Sequence, residues 1–183
     1  MKRYLLATSM AVLIGLAGAA QASTNAAAGL PAASYSDSSN WNGLTAESLF
    51  NGASWNAGTG DAQWVQVDLL GTKQITGISY VTDQLPDGHS WQKIYISDTP
   101  IGEDWANLTP TLTFSGYTVA NTPISFNFGA ISGRYVEIVA YNEGSWTALQ
   151  KGVITAVPEP ETYLMLLAGL GAVGFAARRR KAT

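Results

Sequence analysis

Gln63-Trp64-Val65-Gln66-Val67-Asp68-Leu69, followed after a Gly71-Thr72 turn by Ile75-Thr76-Gly77-Ile78, decides the fold of this chain. Successive side chains of an extended strand point to opposite faces. Val65, Val67 and Leu69 therefore share one face, and the run reads as a half-buried strand. The same pattern repeats along the chain. Ile75 to Thr82, Lys93 to Ser97, Leu112 to Ser115, Tyr117 to Val119, Ile124 to Phe128 and Arg134 to Ala140 are short β-type runs, and Val153-Ile154 closes the last. Gly, Asn, Asp and Pro fill the gaps, as turns require. A short turn near Ala46 to Phe50 is the one helical exception. Short strands with turn-rich gaps predict an all-β domain, a β-sandwich or jelly roll.

Both ends carry addresses. Lys2-Arg3, an apolar stretch from Leu5 to Ala19 and Ala20-Gln21-Ala22 form a signal peptide over residues 1–22, cut after Ala22. At the other end stand Val157-Pro158-Glu159-Pro160, an uncharged run from Thr162 to Ala177, and Arg178-Arg179-Arg180-Lys181. Proline stiffens the first part. The apolar run is short of the ~20 residues of a comfortable membrane span, and its glycines suit a membrane helix. The basic stop belongs on the cytoplasmic side.

The net charge of −3 hides an asymmetry. Six of ten cations sit in these two address segments. Residues 23–157 keep Lys73, Lys93, Arg134 and Lys151 against eleven Asp and Glu, a net −7. Such a domain is a poor match for nucleic acid or anionic lipid. With no cysteine and one histidine, His89, thiolate zinc sites, thiol catalysis and His-rich metal centres are excluded. About 130 residues without disulfides need one packed core. Residues 23–35, rich in Ala and Ser and broken by Gly29 and Pro31, predict a flexible lead-in. The sandwich proper is expected over 36–155 and the sorting tail over 156–183.

The tail resembles the PEP-CTERM sorting signal: the Pro-Glu-Pro, the short helix and the tribasic end occur in order. That resemblance implies recognition by an exosortase, cleavage near Pro158-Glu159-Pro160 and loss of a transiently inserted helix. It also implies a Gram-negative host that makes exopolysaccharide. Pro158, Glu159, Pro160, Arg178, Arg179 and Arg180 are the sorting residues. Ala20 and Ala22 are the signal-peptidase residues.

The centre resembles a discoidin, or factor 5/8 type C, domain of the galactose-binding-like jelly rolls. Four segments carry this: Leu49-Phe50-Asn51-Gly52 with Trp55; the opening pair of strands; Lys93-Ile94-Tyr95-Ile96-Ser97; and Gly133-Arg134-Tyr135-Val136-Glu137-Ile138. The resemblance implies ligand binding by loops at one barrel end, here Ser36–Leu44, Asn51–Asn56, Asp83–Trp91 and Tyr141–Thr147. Each holds a tryptophan: Trp41, Trp55, Trp91 and Trp146. Indole faces stack on the C–H side of sugars, while Asn42, Asn56, Asp87, His89 and Asn142 are placed to orient hydroxyls. Trp55 is equally placed to plug the barrel, and Trp91 and Trp146 stand at loop–strand borders where core packing is the alternative. The family's structural Ca²⁺ would fall at Asn51 and at Gln150 or Lys151. Both expected carboxylates are missing, which leaves Asn51 a weak candidate and no other cofactor.

No catalytic motif is present. Asp83 with Asp87, or Glu103 with Asp104, are carboxylates whose spacing selects nothing. The expected protein is an exported surface protein that binds carbohydrate, exopolysaccharide above all, without catalysis. It would end at the cell surface, in the outer membrane or in the extracellular matrix. The alternatives are a structural matrix protein without a sugar site and a small glycan hydrolase.

Overall fold

The computed structural model describes residues 25–157, 166–171 and 173. Two antiparallel layers enclose the core. β1 (Tyr35–Asp37) pairs with the start of β3 (Gln63–Ser97), and β3 pairs along its length with β4 (Leu112–Asn142). Both long elements bend from one layer into the other. In the front layer Val139 faces Trp64 on one side and Lys93 on the other, and Lys93 faces Thr113 beyond. The front order is thus β1, the start of β3, the end of β4, the end of β3, the start of β4. In the back layer the middle of β3 lies between the middle of β4 and β5 (Ala148–Val157), and β5 carries β2 (Ser54–Asn56) on its outer side. Register shifts between Asp68 and Lys73 and between Thr82 and Gly88 mark the points where β3 changes layer. Bulged positions bend a strand in this way.

The alternation expected from sequence fills the interior. Val65, Val67, Ile94, Val136 and Ile138 from the front meet Ile75, Ile78, Tyr80, Leu149 and Ile154 from the back, all buried. α1 (Ala46–Phe50) is capped by Thr45, whose Oγ1 accepts from Ser48 N, and buries Leu49 and Phe50 against this core. Its packing requires Gly152: a Cβ there would stand 2.9 Å from Leu49 Cγ and 3.1 Å from a Phe50 ring carbon.

Three expectations change. From Asn25 onward the lead-in is docked. Asn25 pairs with Thr155, its Nδ2 donates to Phe50 O and Gly152 O, and its Oδ1 accepts from Ile154 N. Ala27 is fully buried, and the Tyr35 hydroxyl donates to Ala27 O at 2.7 Å. One asparagine side chain that satisfies four backbone groups, Ala27 N among them, anchors a segment whose composition reads as loose. β5 also runs to Val157, past the boundary drawn at 155.

The third change is on the front layer's outer face. η1, a 3₁₀ turn, spans Ala32–Ser34, and a second, η2 (Gly102–Asn107), straps over Trp64, Tyr95 and Val139. Gln66 Oε1 accepts from Ile101 N at 2.7 Å and Glu137 Oε2 from Gly102 N at 2.8 Å. Trp64 Nε1 donates to Glu103 Oε1. Side chains that alternation assigns to solvent are therefore covered, Glu137 completely.

Residues 166–171 are helical and exposed. Among the described residues no helix is long and apolar enough to cross a membrane. The proposed processing residues Ala20, Ala22, Pro158, Glu159, Pro160, Arg178, Arg179 and Arg180 lie outside the described residues.

Candidate functional site

A cleft of about 390 Å³ opens at the loop end, lined by Asn56, Asp83, Leu85, Gly144, Ser145 and Trp146. The strand scaffold brings these distant residues together. Asn56 closes β2. Asp83 and Leu85 lie where β3 leaves the back layer. Gly144 to Trp146 fill the connection from β4 to β5. Trp146 stacks at a tilt on Trp41, with ring centroids 5.5 Å apart, and both stay about half exposed. Exposed indoles of this kind lose apolar surface to water unless a ligand covers them.

The walls are held by side-chain-to-backbone bonds. Gln84, fully buried, donates from Nε2 to Glu143 O at 2.6 Å and to Pro86 O at 3.0 Å, so one amide ties the two loops. The Leu85–Pro86 peptide between them is cis. Gly88 permits the close approach, since a Cβ there would stand 2.8 Å from Glu143 O. Ser145 Oγ accepts from Leu85 N, which leaves its own proton to donate into the cleft. Asn56 Oδ1 accepts from Gly58 N, which leaves its NH₂.

The Trp41 side of the platform rests on a turn. Trp41 N donates to Asn56 O, Leu44 N to Trp41 O and Asn56 N to Leu44 O. Asn42 and Gly43 both take positive φ at its tip, a conformation that Asn and Gly tolerate best. Gly58 lies under the indole with φ +72°, and a Cβ there would stand 3.0 Å from Trp41 Cβ. Gly58→Ala is expected to cost about 1–2 kcal/mol from the left-handed backbone alone and to push Trp41 off Trp146. Urea unfolding monitored by circular dichroism measures the first effect. An unchanged midpoint would contradict it.

The sequence-derived candidates separate into three groups. Asn56 and Trp146 line the cleft, Trp41 packs on Trp146 beside it, and Asn42 is exposed next to Trp41. Asp87 and His89 are exposed on the adjacent stretch of β3 without lining the cleft; the His89 ring meets Tyr117 edge-on at 5.6 Å, and the backbone N–H of His89 donates to Glu143 Oε2. Trp91 faces outward from the front layer, stacked on Tyr141 at 5.7 Å, with Lys93 Nζ 5.3 Å from its ring and 5.5 Å from that of Trp105.

Two candidates need correction as ligand contacts. Trp55 is fully buried, with its Nε1 donating to Ser39 O at 2.9 Å. Asn142 is also fully buried, and its Nδ2 donates to Trp146 O and Ala148 O. Both shape the site from within. Leu85, Ser145 and Gln84 are not among the residues that the sequence singles out, and Asp83 enters there only as a carboxylate whose spacing selects nothing. All four stand inside the two expected loops, Asp83–Trp91 and Tyr141–Thr147.

The described residues do not suit calcium. Asn51 caps α1, with its Oδ1 accepting from Gly29 N, and the backbone N–H of Lys151 bonds to Ala53 O, which sets a cationic residue beside that turn. Ca²⁺ wants six to eight oxygens, several of them carboxylate. Among the described residues no group of three His, Cys, Asp or Glu forms a metal cluster.

Residues 29–151 match the family model of the F5/8 type C domain, and residues 156–181 match the PEP-CTERM protein-sorting motif. No curated protein matches. Among solved structures, the fold is similar to a variant of chitosan-binding module 1 from the chitosanase/glucanase of Paenibacillus sp. IK-5, with a TM-score of 0.52 and 19% identity over 73% of this chain and 99% of the module. Module 2 of the same enzyme, in complex with chitotriose, gives 0.52 and 17% over 72% and 99%. The CBM32 of AlyQ, in complex with 4,5-unsaturated mannuronic acid, gives 0.51 and 20% over 66% and 92%. At these identities the likeness is one of fold. With two thirds of its length matched by the family model, the chain belongs to the F5/8 type C domain family and ends in a PEP-CTERM sorting motif.

Proposed function

We propose that this chain is an exported surface protein whose loop-end cleft binds carbohydrate, exopolysaccharide above all, without catalysis. The observation that carries the reading is the exposed Trp41–Trp146 pair beside the cleft. It offers an apolar face to a sugar ring, with the Asn56 amide, the Ser145 hydroxyl and the Asp83 carboxylate at its border to take hydroxyls. The structural relatives whose names state a sugar ligand support the same class. Glycoside hydrolysis ordinarily needs two carboxylates across the scissile bond. Asp83 alone lines this cleft, which favours binding over turnover.

The sorting motif supports the rest. Signal peptidase would cut after Ala22, and an exosortase would act near Pro158-Glu159-Pro160. The domain would then be left at the cell surface, in the outer membrane or in the matrix. Mass spectrometry of the mature C-terminus, with and without the exosortase, tests this.

For the ligand, a glycan array probed with the full chain should give discrete sugar hits. Trp146→Ala should weaken them by roughly tenfold or more, as loss of a buried aromatic anchor does, with an unchanged melting temperature. Hits that survive both Trp146→Ala and Trp41→Ala would place the site elsewhere. A silent array favours the structural matrix protein, and release of sugar ends favours a hydrolase.

A further inference from the structure

We infer that the polysaccharide held in the loop-end cleft carries protonated amino sugars, with Asp83 the carboxylate that pairs with the ammonium group. This rests on the carbohydrate reading above and names the ligand class of the same site. Asp83 lines the cleft, stays partly exposed, and makes no side-chain hydrogen bond or ion pair among the described residues. An ionised carboxylate is acceptor-only, so it asks its ligand for donors. The strongest donor it can take is a cation.

The surroundings favour that choice. Asp87 stands two residues from Leu85, Glu143 directly precedes Gly144, and the turn carrying Asp61 is tied to the Trp146 loop by Thr147 N to Thr59 O and Thr147 Oγ1 to Asp61 O. All three acids are exposed. Among the described residues no lysine or arginine lines the cleft. Lys93 lies over Trp91 and Trp105 on the front layer's outer face. Arg134 grips Asp68 with two bonds of 2.7 Å at the far bend, Lys73 is paired there with Gly133, and Lys151 sits beside α1. A uronate would meet Asp83, Asp87 and Glu143 at this end. A neutral sugar would offer Asp83 uncharged hydroxyl donors, and an ammonium group a charged one.

Calorimetry of the full chain at mildly acidic pH, with a glucosamine tetramer, its N-acetylated counterpart and a mannuronate tetramer, tests this. The cationic tetramer should bind roughly tenfold tighter than the neutral one, about one charge-assisted hydrogen bond, and the mannuronate weakest. The preference should shrink as salt is raised. Asp83→Asn should bring the cationic tetramer down to the level of the neutral one. Equal affinities in the parent protein, or a preference that survives Asp83→Asn, overturn the inference. If the neutral tetramer binds and responds to Trp146→Ala while no charge preference exists, the carbohydrate reading stands and this inference alone falls. If no glycan binds, both fall. The comparison of the three ligands on the parent protein decides the matter even if Asp83→Asn folds poorly.

Discussion

Trp55→Ala is expected to lower the unfolding free energy by about 3–5 kcal/mol, the cost of emptying a fully packed indole site. Trp55 has no exposed surface and lies in the main core with Leu49, Phe50 and Leu149. Its partner across the ladder is Leu149, so the cavity would open between the back layer and α1. A second loss adds to the first. Trp55 Nε1 holds Ser39 O, and Ser39 Oγ holds Ala57 O. These bonds seat the segment that presents Trp41. Trp55→Phe keeps most of the apolar volume but removes the N–H donor, and should cost about 1–3 kcal/mol if Ser39 O is left without a partner. Urea unfolding gives the stabilities, and glycan binding gives the site. Trp55→Ala should lose both, whereas Trp146→Ala should lose binding alone. A Trp55→Ala protein of parental stability would mean that the indole is not in the core.

That contrast shows why half of the site was readable and half was not. The strand alternation put Val65, Val67 and Ile94 inside, and the register agrees. The binding loops follow from the resemblance to the F5/8 type C family, matched by chain order. What a linear reading lacks is the side of a loop on which a residue falls. Trp41 and Trp55 both stand beside turn residues, yet Trp41 opens an exposed positive-φ turn while Trp55 occupies a strand position opposite Leu149. Asn142 reads as a loop amide, but it is the last residue of β4 and points inward to hold the Trp146 loop. Gln84 is invisible for a related reason: its task is to bond a backbone carbonyl 59 residues away. The strap is harder still. Gly102–Asn107 has neither strand alternation nor a helical period, so nothing in the sequence tells that it covers a sheet face. Without it, Glu137 within Arg134-Tyr135-Val136-Glu137-Ile138 reads as an ordinary solvent-facing acid.

Glu137 carries the second large effect. Stability is expected to fall as pH rises from about 4.5 toward 8, and Glu137→Gln is expected to remove that slope. The carboxyl is fully buried between Gln66, Tyr95 and the strap; Oε2 takes Gly102 N, Oε1 has no hydrogen-bond partner, and burial pushes its pKa up to about 8 against the help of the Gly102 bond, with the nearby Glu103 charge adding to the rise. The folded protein therefore keeps a proton that the unfolded chain gives up near its ordinary value of 4.5. Stability from this group is fully present below 4.5, declines by about 1.4 kcal/mol per pH unit between the two values, and is lost above the upper one. The whole window amounts to roughly 3–5 kcal/mol, which is comparable with the entire stability of many small domains. Asp68 acts with the opposite sign. Its two bonds to Arg134 hold its carboxyl below the usual carboxylate range, so its contribution is lost as pH falls through that lowered value. The two together place the stability maximum on the acidic side of neutrality. Glu137→Gln keeps an acceptor for Gly102 N and carries no charge, so its unfolding midpoint should be nearly flat across the window and should exceed the parent's at mildly alkaline pH. Parallel urea titrations of the two proteins decide this. A parent whose stability rises from pH 5 to pH 8 would show that Glu137 ionises freely and that the strap does not seal it.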